Sequence, residues 1–447
     1  MWNIICIILE IAKKLSSSFF QSSNEFISKA ATKEQYRLNS SDFTRNRKLP
    51  FESLILSMLR LLRKSLQLEL DLIFKQLQTG VKKITTSAFV QSRKKVKPEL
   101  FYALTHLIVK EYYEDNDENV TLLHGMRVLS IDGSTLQLPV TESTIKEYGF
   151  CNNQKKTEDV VIARVSVMYD VLNDIVIDGL LRPFAEGEVT LSRAHFQYTQ
   201  PNDLIIMDRA YVSFESAYLL RERDVHFLFR CKETFSNQIK VFCASGKKDE
   251  IIDIQPKQNK SFKGLPYDQN DFIAVRMMSI QLDNGEREIL MTSLLDQNKF
   301  PYDEFKDLYF QRWGIETFYD RFKNIIAVER FSGTSHQFIQ QEFNCALYIS
   351  NIQTILSQEA QEEIAEKYKD RKYEYQVNQS LSLYAIRENL LELLSKKGDT
   401  TEMLKDLKGF FVLNVVPIRP GRKNSRNPDK YRQRTKPMQF KNRILNR

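Results

Sequence analysis

Cysteine is scarce in this 447-residue chain. The five present (Cys6, Cys151, Cys231, Cys243 and Cys345) are odd in number and include no CxxC pair. That pattern argues against a disulfide framework and a structural zinc module, and it suits a reducing compartment. His226, Cys231 and Cys243 lie near one another in the chain, but at spacings that fit no zinc module. Glycine and proline are few, 14 and 12 residues, which argues against a fibrous or disordered chain. Residues 2–11 are apolar but interrupted by Asn3 and Glu10, too short to span a bilayer and without the basic start of a signal peptide. They read as one face of a helix, and the protein as cytoplasmic with no membrane partner.

What is present is ordinary for a globular protein: 42% hydrophobic and 27% charged residues, in a chain long enough for two or three domains. The formal charge of +8 is unevenly placed. Residues 419–447 hold 11 Lys and Arg against the single acid Asp429, so the rest of the chain is slightly acidic. This segment, rich in Pro, Asn and Gln, reads as a disordered basic tail that could meet phosphates.

Up to residue 120 the pattern is helical. Pro50 opens a helix whose apolar positions (Leu54, Ile55, Met58, Leu59, Leu62, Leu66) recur every three or four residues. Residues 84–89 offer a cap and a short helix carrying Arg93, Lys94, Lys95 and Lys97, and Pro98 starts the next helix. These two helices could form a helix-turn-helix in a DNA groove, or pack with a solvated basic face. From Arg127 the period changes to that of strands: 128–132, 135–138, then a hairpin of 161–170 and 175–181 about Asn173-Asp174. Residues 204–208 form another apolar strand, followed by a helix and the strand 226–230. Further strands are expected at 239–243, 250–254, 272–282 and 287–292, with a turn at Asp283-Asn284-Gly285. The expectation is a mixed α/β sheet with a β-rich insertion about 232–300. The domains would be 1–120 (helical, possible DNA binding), 121–360 (α/β), 361–418 (helical) and 419–447 (basic tail).

Asp132 and Asp208 each end an apolar run, and the edge of an α/β sheet where strands emerge is where sites form. A strand also ends in Asp simply to begin a turn. The third acid lies in a patterned segment: Tyr309, Arg312, Glu316 and Lys323 fall within a sector of roughly 60° on one continuous helix. Ile315, Phe318, Phe322 and Ile325 lie opposite as its apolar back. Taken alone, this could be an exposed face with Arg312 and Glu316 as an i,i+4 pair.

The spacing Tyr-x2-Arg-x3-Glu-x6-Lys resembles the signature of the IS4 family of bacterial insertion-sequence transposases. Ile131-Asp132-Gly133-Ser134 is similar to the family's first catalytic segment, and Asp208-Arg209-Ala210-Tyr211 to its second, usually Asp-Arg-Gly-Tyr. Arg330-Phe331-Ser332-Gly333 resembles the segment that follows the signature. The resemblance, over about residues 40–355, implies an RNase H-like fold with a β-rich insertion and a metal-binding triad of Asp132, Asp208 and Glu316. It implies two Mg²⁺ or Mn²⁺ ions acting on water or a 3′-hydroxyl in an in-line displacement. It implies double-stranded DNA partners, the element's terminal inverted repeats and target DNA, held in a synaptic homodimer. Tyr309, Arg312 and Lys323 match positions that hold DNA phosphates, and Arg209 lies in the second segment. Trp313 is either a stacking face for an unpaired base or a core aromatic. Two departures stand out. Ala210 replaces glycine, so its turn must avoid positive φ. No Trp lies in the expected insertion, about 232–300, to receive a flipped base, a place Phe262, Tyr267 or Phe272 could fill. The rival readings are an RNase H-fold nuclease that does not join ends and a DNA-binding regulator derived from a transposase.

Overall fold

The computed structural model describes residues 17–45, 47–62, 65–76, 84–114, 120–150, 160–257, 262–282, 285–395 and 400–419. The expected helix at 2–11, nearly all of the basic tail and the centre of the Asp283-Asn284-Gly285 turn lie outside the described residues. The chain divides into two units, one of residues 1–119, 135–163 and 320–447, the other of 120–134 and 164–319. Among the described residues no helix is long and apolar enough to cross a membrane.

The second unit is organised by an eight-stranded sheet. Its strands are β1 (Val128–Leu138), β2 (Val161–Asp170), β3 (Ile175–Pro183), β4 (Leu204–Met207), β5 (His226–Cys231), β6 (Asp249–Ile254), β7 (Ile273–Gln281) and β8 (Arg287–Thr292). Their order is β3-β2-β1-β4-β5-β8-β7-β6. β1, β4 and β5 run parallel, while β8, β7 and β6 continue antiparallel from β5. The fold is thus mixed α/β with an RNase H-like arrangement β3-β2-β1-β4-β5, and the strands expected as an insertion extend the same sheet.

Neighbouring positions along the central strands face opposite ways, and both sets are buried. Val128, Leu204, Ile206, Leu228, Met278 and Leu290 join Phe305 and Tyr309 in one cluster. Leu129, Ile205, Met207, Phe227, Phe229 and Met291, of the other parity, are buried as well. Burial on both faces explains why these strands read as unbroken apolar runs rather than alternating ones.

One expected strand is a helix. Residues 239–243 lie within the helix Asn237–Ser245, opened by the Ser236 hydroxyl, which accepts from the Ile239 amide at 3.2 Å, and stopped by Gly246 in the left-handed conformation. Ile239 and Phe242, three apart, are its buried face, so the apolar residues follow a helical period after all.

The first unit is mainly helical. Its long member, His336–Lys367, runs 32 residues and packs against Phe51–Leu59, Glu99–Glu114, Gln379–Ser395 and Thr401–Leu413. The helix opened at Pro50 ends at Leu59 instead of continuing through Leu66. Leu61 turns left-handed (φ 55°), and the Arg387 guanidinium donates to the carbonyls of Arg60 and Leu61, both at 2.9 Å, closing the helix end.

Candidate active site

The site is set by strand register. Val128, Leu129 and Ser130 of β1 stand beside Leu204, Ile205 and Ile206 of β4. Carried two residues further, the same register brings Asp132 opposite Asp208. Asp132 is not at a strand end, as the sequence suggested, but within β1, which continues to Leu138. It is half-buried rather than sealed in the sheet, because β4 stops at Met207 and leaves β1 without that neighbour from Asp132 on. The turn after Asp208 closes with the Tyr211 amide donating to the Asp208 carbonyl at 3.0 Å. Ala210 keeps a negative φ there, so no glycine is needed.

Glu316 arrives on the helix Trp313–Asn324. The single continuous helix expected from Tyr309 to Lys323 is broken. Phe305–Phe310 is one helix, residues 311 and 312 form a turn, and the second helix starts at Trp313. Bonds from the Arg312 amide to Tyr309 and from the Gly314 amide to Gln311, each three residues back, tighten the winding there. Gly314 fits closely at this bend, where a Cβ would lie 3.3 Å from the Val171 side chain. Beyond it, Ile315, Phe318 and Phe322 are fully buried as expected. Tyr319, one turn after Glu316, donates its hydroxyl to the Asp132 carbonyl at 2.8 Å.

Each acid has its own neighbours. Asp132 Oδ1 accepts from the Gly133 amide (2.8 Å) and the Tyr211 hydroxyl (3.1 Å). Burial raises the Asp132 carboxyl above its ordinary range, outweighing the Gly133 amide, the Arg312 charge and the Tyr211 hydroxyl, which lower it, while Glu316 adds a further push upward. Glu316 is paired with Arg312 at 3.0 Å. Asp208 lies 3.4 Å from the Tyr309 hydroxyl and 4.0 Å from Arg230, which is also paired with Glu288 at 3.2 Å.

Of the residues singled out from the sequence, Tyr309 and Arg312 are buried beside the acids, at 5% and 8% exposure. The Arg312 guanidinium lies over Trp313, 5.2 Å from the ring, and its Nε has no partner. Trp313 is 45% exposed and therefore no core aromatic. Arg209 is exposed, and Lys323 is half-buried in the last turn of the Glu316 helix. Of the aromatic candidates for a flipped base, Tyr267 is buried among Phe214, Tyr218 and Phe262, whereas Phe272 is exposed.

Residues 123–352 match the family described as the transposase DDE domain, more than half of the chain and the whole stretch that carries these acids. The chain belongs to this transposase family. Within it, the chain is 22% identical to the transposase InsG for insertion sequence element IS4 of Escherichia coli (strain K12), over 236 residues. That match covers 51% of this chain and 51% of its relative, so the chain spans about half the length of the curated relative it matches. Among solved structures, a piggyBac transposase synaptic complex with hairpin DNA aligns over 97% of this chain and 89% of its own, at 12% identity and TM-score 0.41.

A DDE transposase calls for divalent cations at its acids. The donor set here suits them: carboxylate oxygens are hard ligands, and Asp132, with Glu316 near it, carries negative charge that burial disfavours. Among the described residues no three His, Cys, Asp or Glu side chains form a group placed to hold a metal ion. Glu316 leans on Arg312 instead.

Sequence reading placed Tyr211 in the second motif segment without giving it a role, and it missed Tyr319 and Arg230. Tyr319 sits in the unspecified part of the signature, and nothing in the sequence links it to a strand 187 residues away. It also missed a buried relay in the second unit. His195 lies between Asp178 (2.6 Å) and Ser166 (2.9 Å), an order reminiscent of a hydrolase, but all three are at most 2% exposed. No substrate reaches that serine, so the relay satisfies buried polar groups across β2 and β3.

Proposed function

We propose that this chain is a metal-dependent transposase that cleaves DNA at insertion-sequence ends and joins the freed ends to target DNA, with Asp132, Asp208 and Glu316 as its acids. The observation that carries the reading is the β1–β4 register, together with the Tyr319 bond that ties the Glu316 helix to the backbone of Asp132. Mg²⁺ or Mn²⁺, two ions per site, would be held by the three carboxylates and supply Lewis acidity at the scissile phosphate.

The chain's own residues do the rest. Tyr211 and the Gly133 amide fix the Asp132 carboxylate, and Tyr309 orients Asp208. Arg312, buried with its charge toward Glu316 and Asp132, holds a phosphate oxygen at the cut end. Arg209, Lys323 and the exposed face of Trp313 grip the strand beyond it. Joining requires two ends, so the active assembly is a dimer with DNA, acting in the cytoplasm on the bacterial nucleoid.

The test uses duplex DNA bearing the element's ends, with Mg²⁺, scored for cleaved and joined products. Asp132→Asn, Asp208→Asn and Glu316→Gln should each abolish cleavage, by about 10³-fold or more, while still binding DNA. A folded single variant that cleaves normally removes that residue from the triad. Cleavage without joining identifies a nuclease, and binding without cleavage by the unaltered chain identifies a regulator.

A further inference from the structure

The basic run from Arg93 to Lys97, a candidate DNA-reading surface by sequence, is largely consumed in holding the first unit together. Arg93 is 3% exposed and donates to Gln341, Ser332, the Phe338 carbonyl and Glu342, at 2.8–3.0 Å. Lys95 pairs with Asp42 at 3.2 Å, and Lys97 donates to the Gln35 carbonyl at 2.9 Å. Of these four only Lys94 is fully exposed.

The same unit holds an open groove of about 1080 Å³, walled by the segments Lys29–Lys33, Ser41–Glu52 and Ile84–Lys95. Lys29, Lys33, Arg45, Arg47 and Lys48 line it. Of its two acids, Asp42 is buried and already accepts from Asn39 and pairs with Lys95. Glu52 alone then faces five cations. The helix Phe51–Leu59 also starts in the groove, with Pro50 as an N-cap that offers no side-chain bond. Its first-turn amides add partial positive charge.

We propose that this groove binds the phosphodiester backbone of duplex DNA, so that the first unit holds DNA through Arg45, Arg47 and Lys48 and through Lys29 and Lys33 rather than through the face of the Arg93 helix. This rests on the reading of the chain as a transposase. A string of phosphates, rather than a single small anion, fits the arrangement. The cations, exposed except for the half-buried Lys33, are spread along two separate segments, where a lone phosphate would need donors converging on one point. No base-reading side chain is implied, so the contacts are independent of sequence.

The test is binding of a labelled random-sequence duplex by the full chain across a range of salt concentrations. R45A/R47A/K48A should weaken binding about tenfold or more and make the salt slope shallower by roughly 3, near one counterion per lost contact. K29A/K33A, on the other wall, should reduce the slope by roughly 2. R45K/R47K, which keeps every charge, should bind as the unaltered chain does. Melting curves establish that each variant is folded. Unaltered affinity and slope in both folded alanine variants would overturn the assignment. So would a loss confined to anionic phospholipid vesicles with duplex binding intact, which would give the groove to a membrane. If the unaltered chain bound no duplex at all, the transposase reading would fail along with it, whereas loss of cleavage in D132N with normal binding concerns the acids alone.

Discussion

The Tyr319 hydroxyl donates to the main-chain carbonyl of Asp132 at 2.8 Å, joining the helix that carries Glu316 to the strand that carries the first acid. Tyr319 touches no reacting group, so it positions. Tyr319→Phe removes this one bond and keeps the ring in place. We expect a stability loss of about 1 kcal/mol, DNA affinity within about twofold, and single-turnover cleavage slowed by roughly tenfold. A normal cleavage rate in this variant would show that the helix is located by packing alone.

Gly133 lets Tyr211 reach Asp132. A Cβ at this position would lie 2.9 Å from the Tyr211 hydroxyl oxygen, so Gly133→Ala must displace that hydroxyl and break its bond to the carboxylate. Cleavage should fall by about tenfold or more. The cost should shrink in a Tyr211→Phe background, where no hydroxyl is left to clash. Equal costs in the two backgrounds, measured as a double-mutant cycle, would mean the two residues are independent.

Asp132 links stability to pH. Its carboxyl is raised above the ordinary range, so the folded state binds this proton more tightly than the unfolded chain does. The carboxylate form therefore costs stability, and that loss sets in as pH rises from the ordinary carboxylate range through the raised value. Asp132→Asn should melt higher than the unaltered chain near neutral pH, at about pH 7, and show no such gain in acid below the ordinary carboxylate range. Adding Mg²⁺ should raise the melting temperature of the unaltered chain and do much less for the variant. Chelator-treated protein whose melting is indifferent to Mg²⁺ would count against a cation at these acids.

Arg93 and Glu342 form a buried pair at 2.9 Å, and Glu342 also accepts from the amides of Ser332 (2.8 Å) and Gly333 (3.1 Å). Breaking the pair with Glu342→Gln or Arg93→Met should destabilise the fold by about 3–5 kcal/mol, read by urea unfolding. Replacing both partners with apolar residues should cost less than either single change. The Arg-Phe-Ser-Gly segment noticed beside the signature thus has a structural use, to present two amides to Glu342.

The sequence made the central strands legible because a sheet covered on both faces leaves runs such as 204–207 with no polar interruption. It placed the acids near strand ends because an apolar run followed by Asp looks like an ending. Whether β1 continues depends on where its neighbour stops, and no local pattern reports that. The helix at 237–245 was hidden because five mostly apolar residues fit either period, and the deciding signals, Ser236 and Gly246, lie outside them. The break at 311–312 was missed because Tyr309, Arg312, Glu316 and Lys323 satisfy a helical period even across a turn. Tyr319 and Tyr211 act over long sequence separations, which only the assembled sheet can close.

The first unit is made of three separate stretches of chain, residues 1–119, 135–163 and 320–447. The helices Phe51–Leu59 and Glu99–Glu114 pack on His336–Lys367, which the ribosome makes much later. At ordinary translation rates that delay is on the order of ten to forty seconds, during which the early helices have one another but lack the surface of the late helix. The stretch 164–319 needs no such wait. DNA capture through the groove is therefore a property acquired only by the finished polypeptide. A chain arrested early, or an excised fragment 1–119, should possess the cations of the groove without the scaffold that spaces them.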